Sequence, residues 1–263
     1  MLRIFINKLI FINFKGEILH MALSPLDIVN GIFGLLFVGI SIILGVIIVL
    51  KYVKTKDKNF LLVGFTWIFL ISGWFGTSVS FIVALLTGGD GLSLEMILLL
   101  NFIPLPIGLF LWSIAFTNFL YKEKQIVILL LIALYIVIFY SVFLFYIFTD
   151  PLIIAEKISP VDTAARSLGF AVFLIIFIAI FLTTGIKFAL QTLKIDDPET
   201  KLKGKLLLMA FPSFCIGGFL DASIPTTALT LIIFRLILIL SAILFYGGFV
   251  LPNWIKKAFL KKG

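Results

Sequence analysis

The fold is decided by the stretch GKLLLMAFPSFCIGGFLDASIPTTALTLIIFRLILILSAILFYGGFVL, residues 204–251. It consists of two apolar segments, each long enough to cross a bilayer, joined by the short connection 222–227. Asp221 lies at the end of the first segment and Arg235 lies well inside the second. A charge near the centre of a membrane helix costs about 2.5–3.5 kcal/mol on insertion scales, so it is usually paired, faces a cavity, or both.

The positions of the two charges allow them to meet. If the connection turns at its middle, Arg235 lies level with Phe214, and Asp221 is about 10 Å nearer the membrane surface at about 1.5 Å per residue. Side chains lean toward the N-terminus of their own helix, so these two lean toward each other, and a long arginine covers much of the gap. The sequence therefore predicts an intramembrane ion pair. It serves either as a structural clamp or as a ligand contact or switch that breaks on activation.

The composition extends this interpretation to the whole chain. Of its 263 residues, 62% are hydrophobic and 13% are charged, and the mean hydropathy is +1.25. A soluble domain needs far more polar surface than this. We therefore predict an all-α, polytopic membrane protein whose residues 21–251 form a seven-transmembrane helix bundle. The seven spans are expected at about 28–50, 60–87, 96–121, 125–148, 167–190, 204–223 and 227–251.

The two ends of the chain differ from the bundle. Residues 1–20 contain an apolar run that is interrupted by Lys8 and is too short to cross a membrane. They are either an amphipathic surface helix or the product of a mis-assigned start, with translation beginning at Met21. Ser24 follows at once and is a good N-cap for span 1. Residues 252–263 are expected to form a short, basic interfacial helix.

The lysines of the short loops predict the orientation. One side of the membrane has only Lys157 and Arg166, or five positive charges if residues 1–20 are included. This asymmetry places the N-terminus outside and the C-terminus inside, in the cell membrane. The positive charges of the inner side are Lys51, Lys54, Lys56, Lys58, Lys122, Lys124, Lys187, Lys194, Lys201, Lys203, Lys205, Lys256, Lys257, Lys261 and Lys262.

Two further groups of residues are candidates for a site. A pocket opposite the ion pair could be lined by polar and aromatic side chains of spans 2 and 3, although such residues more often join helices by hydrogen bonds. A kink in span 6 is either a hinge or a packing irregularity. The candidate pocket residues are Ser72, Ser80, Asn101 and Trp112, and the candidate hinge residues are Pro212, Gly217 and Gly218.

The sequence lacks the residues that most kinds of catalytic or cofactor site require. The one histidine is His20 and the one cysteine is Cys215, so a metal centre or a cysteine nucleophile with a histidine base is not expected. Span 7 has no lysine for a retinal Schiff base. We predict a protein that is not an enzyme and has no cofactor. Because the positive charges lie in membrane-flanking loops, we expect the lipid bilayer as partner and no nucleic acid.

Several stretches resemble a group of seven-span membrane proteins that occur as multiple paralogues in Asgard-type archaea. The resemblance implies a membrane location and an archaeal lineage, but the group has no assigned activity. In span count and orientation the chain also resembles the seven-helix sensor modules of histidine kinases and rhodopsin-type receptors. The stretches are KTKDKNFLLVGFTW (54–67), AFTNFLYKEKQ (115–125), FTDP (148–151), DDPETKLKGKLLLMAF (196–211), FLDASIP (219–225) and FRLILILSAILFYGGFVLP (234–252).

Three functions fit these observations. The first is a receptor or sensor-like module that binds a small ligand in its outer half and signals through a separate cytoplasmic partner. The second is a small-solute transporter or channel in which Asp221 and Arg235 form a gate. The third is a non-catalytic subunit that organises or assembles other membrane components. The sequence is silent on the ligand, the partner and the oligomeric state.

Overall fold

The computed structural model describes residues 23–224 and 227–260. Over these ranges, seven spans are long and apolar enough to cross a membrane, so the chain is an all-α, multi-pass bundle. The question of residues 1–20 and Met21 lies outside the described residues. The spans are span 1, α1 (Pro25–Thr55); span 2, α2 (Asn59–Leu70) and α3 (Phe75–Thr87); span 3, α4 (Leu94–Phe102) and α5 (Pro104–Leu120); span 4, α6 (Gln125–Thr149); span 5, α7 (Leu168–Leu193); span 6, α8 (Pro198–Ser223); and span 7, α9 (Ala228–Val250).

Side-chain caps fix where several of these helices begin. The Ser24 hydroxyl accepts a hydrogen bond from the backbone of Asp27 at 3.2 Å, and the Asp27 carboxylate accepts one from the Ser24 backbone at 2.9 Å. This reciprocal pair is the N-cap predicted for span 1. Span 6 begins at Pro198, before the expected bound of about 204, and Asp197 caps it by accepting from the backbone of Thr200 at 2.8 Å. A cap of this kind typically contributes about 1 kcal/mol.

Six of the seven spans form a closed circle. Each of spans 1, 2, 3, 5, 6 and 7 packs against the next, and span 7 returns to span 1. Span 4 lies outside this circle, against span 3. Only four of its residues are buried, which agrees with its uniformly apolar sequence facing lipid. They are Ile132, Phe139, Phe143 and Ile147.

Span 2 is interrupted by a 3₁₀ turn, Ile71–Trp74, that span 3 stabilises. A change from 3₁₀ to α geometry leaves backbone groups without their usual partners. The side-chain oxygen of Asn101 accepts a hydrogen bond from the Gly76 backbone at 2.7 Å. The backbone carbonyl of Asn101 accepts one from the Ser72 hydroxyl at 2.8 Å. A Cβ at Gly76 would lie 2.7 Å from Ile97, so only glycine allows this close approach. The turn sets the direction of Trp74.

A β-hairpin between spans 4 and 5 was not predicted. Strands β1 (Ala155–Ser159) and β2 (Asp162–Ala165) pair antiparallel across a turn at Pro160 and Val161. The Ser80 hydroxyl donates to the Pro160 carbonyl at 2.6 Å, which holds the turn on the bundle. We call this the hairpin end and the opposite end the lysine-rich end. The side chain of Val161 is fully buried against Leu23, Phe81 and Ala84.

A column of aromatic rings fills the core between the two ends. From the hairpin end inward, the ring of Trp74 lies 6.1 Å from Phe214, and Phe214 lies 5.2 Å from Trp67. Trp67 stacks on Phe245 at 4.4 Å, and Phe245 lies 4.8 Å from Phe249 near the lysine-rich end. These rings bury a large apolar area, and offset or edge contacts add about 0.5–1.5 kcal/mol for each pair. We call this set the aromatic column.

The chain after span 7 turns back along the lysine-rich end. Helix α10 (Asn253–Phe259) buries Ile255 against spans 6 and 7. Lys256 forms an ion pair with Glu199 at the start of span 6, at 2.6 Å. Leu251 separates α10 from span 7 in the left-handed conformation, with φ of 50°. The expected basic tail helix therefore packs on the bundle through one apolar residue.

Candidate functional site

The two charges predicted inside the membrane meet in the structure. Nη2 of Arg235 lies 3.3 Å from Oδ2 of Asp221, and the two side chains are 5% and 13% exposed. The arginine stem spans the difference in depth between the two helices. An ion pair that is buried this far from water is favourable only when further hydrogen bonds satisfy its remaining polar atoms. The neighbours of the pair therefore decide what it can do.

Trp74 holds the carboxylate from a second side. Its indole N–H donates to Oδ2 of Asp221 at 2.7 Å, which is a short bond to a charged acceptor. The same indole lies under the guanidinium, with Cζ of Arg235 5.7 Å from the ring centroid, within cation–π range. Phe37 packs edge-on against Trp74 at 4.9 Å and fixes the plane of the ring. Sequence reasoning missed this role, and the polar N–H of a tryptophan inside an apolar span was the available signal.

Asn30 connects the pair to span 1. Its side-chain oxygen accepts from Nη2 of Arg235 at 3.0 Å, and the residue is only 3% exposed. Arg235 therefore joins spans 1, 6 and 7. Sequence reasoning missed Asn30 as well. The available signal in the sequence was an amide inside span 1, three residues or about one turn after the capping residue Asp27.

The guanidinium is only partly satisfied. A guanidinium carries five N–H donors, and three of them belong to Nε and Nη1. Both of these nitrogens of Arg235 are buried and have no hydrogen-bond partner among the described residues. An unpaired buried donor typically costs about 1–3 kcal/mol, more when it is charged. The ion pair with Asp221 therefore leaves part of the guanidinium's hydrogen-bonding capacity unused among the described residues.

The hairpin carries a further carboxyl group, Asp162, whose pKa is affected by the charge of Arg235. Burial raises the pKa of Asp162 to about 6, a hydrogen bond from the Thr163 backbone opposes this, and Arg235 lowers it further. The carboxylates of Asp221 and Asp27 act in the opposite direction and raise it. Even so, Asp162 and Arg235 do not form an ion pair among the described residues.

The four predicted pocket residues lie in three separate contacts. Ser72 and Asn101 are brought together at the 3₁₀ turn, and Ser80 holds the hairpin turn. Trp112 is fully buried, and its indole donates to Thr184 of span 5 at 2.8 Å. The hydrogen bonds of all four join helices or loops, as polar groups in membrane bundles commonly do. The structure does not gather them into one lining beside the ion pair.

The predicted hinge residues lie in an unbroken helix. Pro212 is inside α8, which runs continuously from Pro198 to Ser223. A Cβ at Gly217 would lie 3.1 Å from Ile237, and one at Gly218 would lie 3.4 Å from the Trp74 indole. The two glycines therefore allow span 7 and Trp74 to approach span 6 closely. Motion at Pro212 remains a prediction.

Fold and site define a multi-pass integral membrane protein with a polar centre buried at its hairpin end. Over residues 23–224 and 227–260, no group of three or more His, Cys, Asp or Glu side chains is arranged to hold a metal ion. Comparison of the chain with protein-family models, curated proteins and solved structures finds no match. The inference of function therefore depends on the site itself.

Proposed function

We propose that this chain is a receptor or sensor-like membrane protein, without catalytic activity, that binds a small ligand at Arg235 and acts through a separate cytoplasmic partner. The observation that carries the proposal is a buried guanidinium with three N–H donors that have no partner among the described residues. Polar groups buried inside membrane bundles are costly and are candidates for function by default. An acceptor group of a ligand would satisfy these donors.

The orientation in the proposal follows from charge. Among the described residues, thirteen lysines flank the spans at the lysine-rich end, against Lys157 and Arg166 at the hairpin end. Positively charged loops remain in the cytoplasm. The hairpin end would then face the outside of the cell membrane, and ligands from outside would reach the Arg235 site first.

The aromatic column supports coupling between the two ends. It begins at Trp74, which touches the ion pair, and ends at Phe249. Phe249 lines a cavity of about 310 Å³ at the lysine-rich end, together with Asn59, Gln191 and Lys203. Close-packed side chains move as a unit rather than compress, so displacement of Trp74 would be passed along the rings. The cavity is the surface of the bundle that such a displacement would change.

The same column argues against transport. A transported solute needs a path that continues from the Arg235 site to the lysine-rich end, and polar solutes need polar groups along it. Below the ion pair the core is instead filled by Trp67, Phe214 and Phe245, whose rings are in contact. A gate formed by Asp221 and Arg235 would open onto this aromatic layer. We therefore favour a receptor over the small-solute transporter.

Coupling can be measured between two spin labels at the lysine-rich end. Cysteines at Lys58 and Ile195, in a Cys215→Ala background, report the opening of the 310 Å³ cavity in lipid nanodiscs. We expect Trp74→Phe, which removes the hydrogen bond to Asp221, to move the distance distribution by about 1–2 Å, the size of typical helix shifts. Tyr135→Phe is the control, because it removes a 2.7 Å bond to Phe173 outside the site.

An unchanged distance distribution in Trp74→Phe would contradict the receptor proposal and favour an organising subunit. Accumulation of a solute by proteoliposomes that contain the protein, abolished by Arg235→Lys, would instead establish the transporter.

A further inference from the structure

The 310 Å³ cavity at the lysine-rich end has the form of a small-molecule site. It lies among the ends of spans 2, 3, 5, 6 and 7, and its volume is at the lower end of the range for ligand pockets, about 300–1,000 Å³. The deeply buried part of its lining is apolar, and the more exposed part carries polar groups. The buried residues are Val63, Phe188, Leu207 and Phe249, and the polar ones include Asn59, Gln191 and Lys203.

The apolar floor of the cavity is largely aromatic. The rings of Phe188 and Phe249 stack with their centroids 5.8 Å apart and their planes 11° from parallel. Phe119, which also lines the cavity, lies 5.2 Å from Phe188. Aromatic rings pack well against other rings in offset or edge arrangements. The floor therefore suits an aromatic group.

A chain of hydrogen bonds fixes the side-chain amide of Asn59 as a donor. The Thr117 hydroxyl donates to the Ser113 carbonyl at 2.7 Å, so it accepts from the amide nitrogen of Gln125, at 2.9 Å. The same nitrogen donates to the side-chain oxygen of Asn118 at 2.8 Å, and the Asn118 nitrogen donates to the side-chain oxygen of Asn59 at 3.0 Å. Only the NH₂ group of Asn59 is left, and it has no acceptor among the described residues.

Lysines give the cavity a positive charge. Lys203 lines it and forms no ion pair within residues 23–224 and 227–260. The ammonium group of Lys51 lies 4.6 Å from the ring centroid of Phe60, which also lines the cavity. The one carboxylate in the lining, Asp57, is exposed and accepts from the Asn59 backbone at 2.9 Å. Two cations against one anion favour a negatively charged ligand.

We propose that this cavity binds a small aromatic carboxylic acid in its ionised form, with its ring against Phe188 and Phe249 and its carboxylate beside Lys203 and the amide of Asn59. Such a ligand supplies the acceptor that the amide lacks and balances the charge. A neutral aromatic molecule would do neither, and an acid without an apolar group would leave the floor uncovered. The cavity and Arg235 are at opposite ends of the bundle, so this binding does not depend on a ligand at Arg235.

The ligand would also contact the aromatic column. Phe249 is both part of the floor and the last ring of that column. An acid bound against Phe249 would oppose its displacement, so the cavity would be a regulatory site. This consequence rests on the proposed function, because it needs coupling between the two ends. Coupling is reciprocal, so a change at Trp74 would then alter the affinity of the cavity for the acid.

Fluorine NMR of 4-fluorophenylacetate measures binding to the full-length protein in lipid nanodiscs. We expect saturable line broadening that unlabelled phenylacetate reverses, and empty nanodiscs report partition into lipid. Acetate has the charge without the ring, benzyl alcohol has the ring without the charge, and benzylamine has the opposite charge. We expect each of these three to compete at least about tenfold more weakly than phenylacetate does.

Lys203→Gln should weaken the binding of phenylacetate about tenfold, because the carboxylate loses a counter-charge. Lys205→Gln is the matched control: it removes the same charge from the same helix at an exposed position outside the lining, and it should leave binding unchanged. Gln191→Trp places a large ring at an exposed position of the mouth and should abolish binding. Melting temperatures show that the three variants are folded.

Any one of four results would overturn the inference. They are no binding of phenylacetate up to about 10 mM, equal competition by benzyl alcohol or benzylamine, equal losses in Lys203→Gln and Lys205→Gln, and normal binding in Gln191→Trp. Tighter binding of decanoate than of phenylacetate would also overturn it, in favour of a site for lipid-derived acids.

Trp74→Phe separates this inference from the receptor proposal. Altered affinity for phenylacetate, together with changed spin-label distances at the lysine-rich end, would support both. Unaltered affinity with unchanged distances would contradict the receptor proposal and support a binding site that acts on its own. Changed distances in a protein that does not bind phenylacetate would support the receptor and overturn the acid site.

Discussion

Oδ2 of Asp221 accepts the indole N–H of Trp74 at 2.7 Å and lies 3.3 Å from Nη2 of Arg235. One carboxylate oxygen therefore joins an aromatic donor of span 2 to a cation of span 7. The cation shares its acceptor atom with the indole, whose ring begins the aromatic column. This arrangement makes the site a three-part unit rather than an isolated ion pair.

Trp74→Phe tests whether the indole bond stabilises the carboxylate. It keeps an aromatic ring but removes the donor, and a hydrogen bond to a charged group typically contributes about 1.5–3 kcal/mol. We expect a loss of about that size in the free energy of unfolding. The loss should shrink in an Asp221→Asn background, because the acceptor is then neutral.

Trp112→Phe is the matched control for this change. It also exchanges a buried indole for a phenyl ring and removes a bond of 2.8 Å, but the acceptor is the Thr184 hydroxyl. Its cost should be the same with Asp221 or with Asn at that position. If the cost of Trp74→Phe is equally independent of Asp221→Asn, the indole bond has no special relation to the ion pair.

Asp221 and Arg235 should be coupled energetically. Removing one partner strands the other charge in the bundle, which typically costs about 3–5 kcal/mol. We expect Asp221→Ala and Arg235→Leu each to destabilise the protein more than the double variant does. Chemical denaturation in detergent measures the four free energies of the cycle, and additive losses would mean that the contact carries no energy.

Part of this site could be predicted from the sequence. Asp221 and Arg235 stand out because they are charges in consecutive apolar spans, and helix geometry alone makes them lean together. The caps of spans 1 and 6 are equally local, since Ser24 and Asp197 act within three residues of their own position. Features that depend on one helix and its immediate neighbour in sequence could be predicted.

Trp74 and the hairpin could not be predicted, because their causes lie in distant parts of the chain. Trp74 is the last residue of a 3₁₀ turn, and that turn is held by Asn101 of span 3. Ser159-Pro160 is a local turn signal, but the burial of the hairpin depends on Ser80 and on the apolar ends of spans 1 and 2. Span counting treats this segment as a plain loop.

Asp162 should make stability depend on pH. Burial raises its pKa from 3.8 to about 6, against the effect of Arg235 and with that of Asp221 and Asp27. A raised carboxyl pKa means that the folded state binds the proton more tightly than the unfolded state does. This group therefore lowers stability as the pH rises from about 4 to 6 and leaves it constant above that window.

We expect Asp162→Asn to remove this dependence and to stabilise the protein at pH 7.5 by about 1–3 kcal/mol, because one pKa unit corresponds to about 1.4 kcal/mol and the group is partly exposed. Melting temperatures from pH 4.5 to 7.5 for the wild type and for the variant measure the effect. Parallel curves for the two proteins would show that Asp162 does not carry the pH dependence.

The orientation of the bundle gives the last prediction. Lys58 is exposed at the lysine-rich end, and Gly89 lies in the span 2–3 connection at the hairpin end, where a Cβ meets only Thr87 at 3.4 Å. With thirteen lysines of the described residues at the first end, we expect that end to remain in the cytoplasm. Single cysteines at the two positions, in a Cys215→Ala background, should therefore label from opposite sides of intact cells. An impermeant maleimide should modify Gly89→Cys before lysis and Lys58→Cys only after it.

Lys58 is a better reporter than Lys56, because Lys56 has a φ of 58° and caps span 1, so a substitution there disturbs the helix end. Labelling of Lys58→Cys from outside would reverse the bundle and place the Arg235 site toward the cytoplasm, where its ligand would be an intracellular solute.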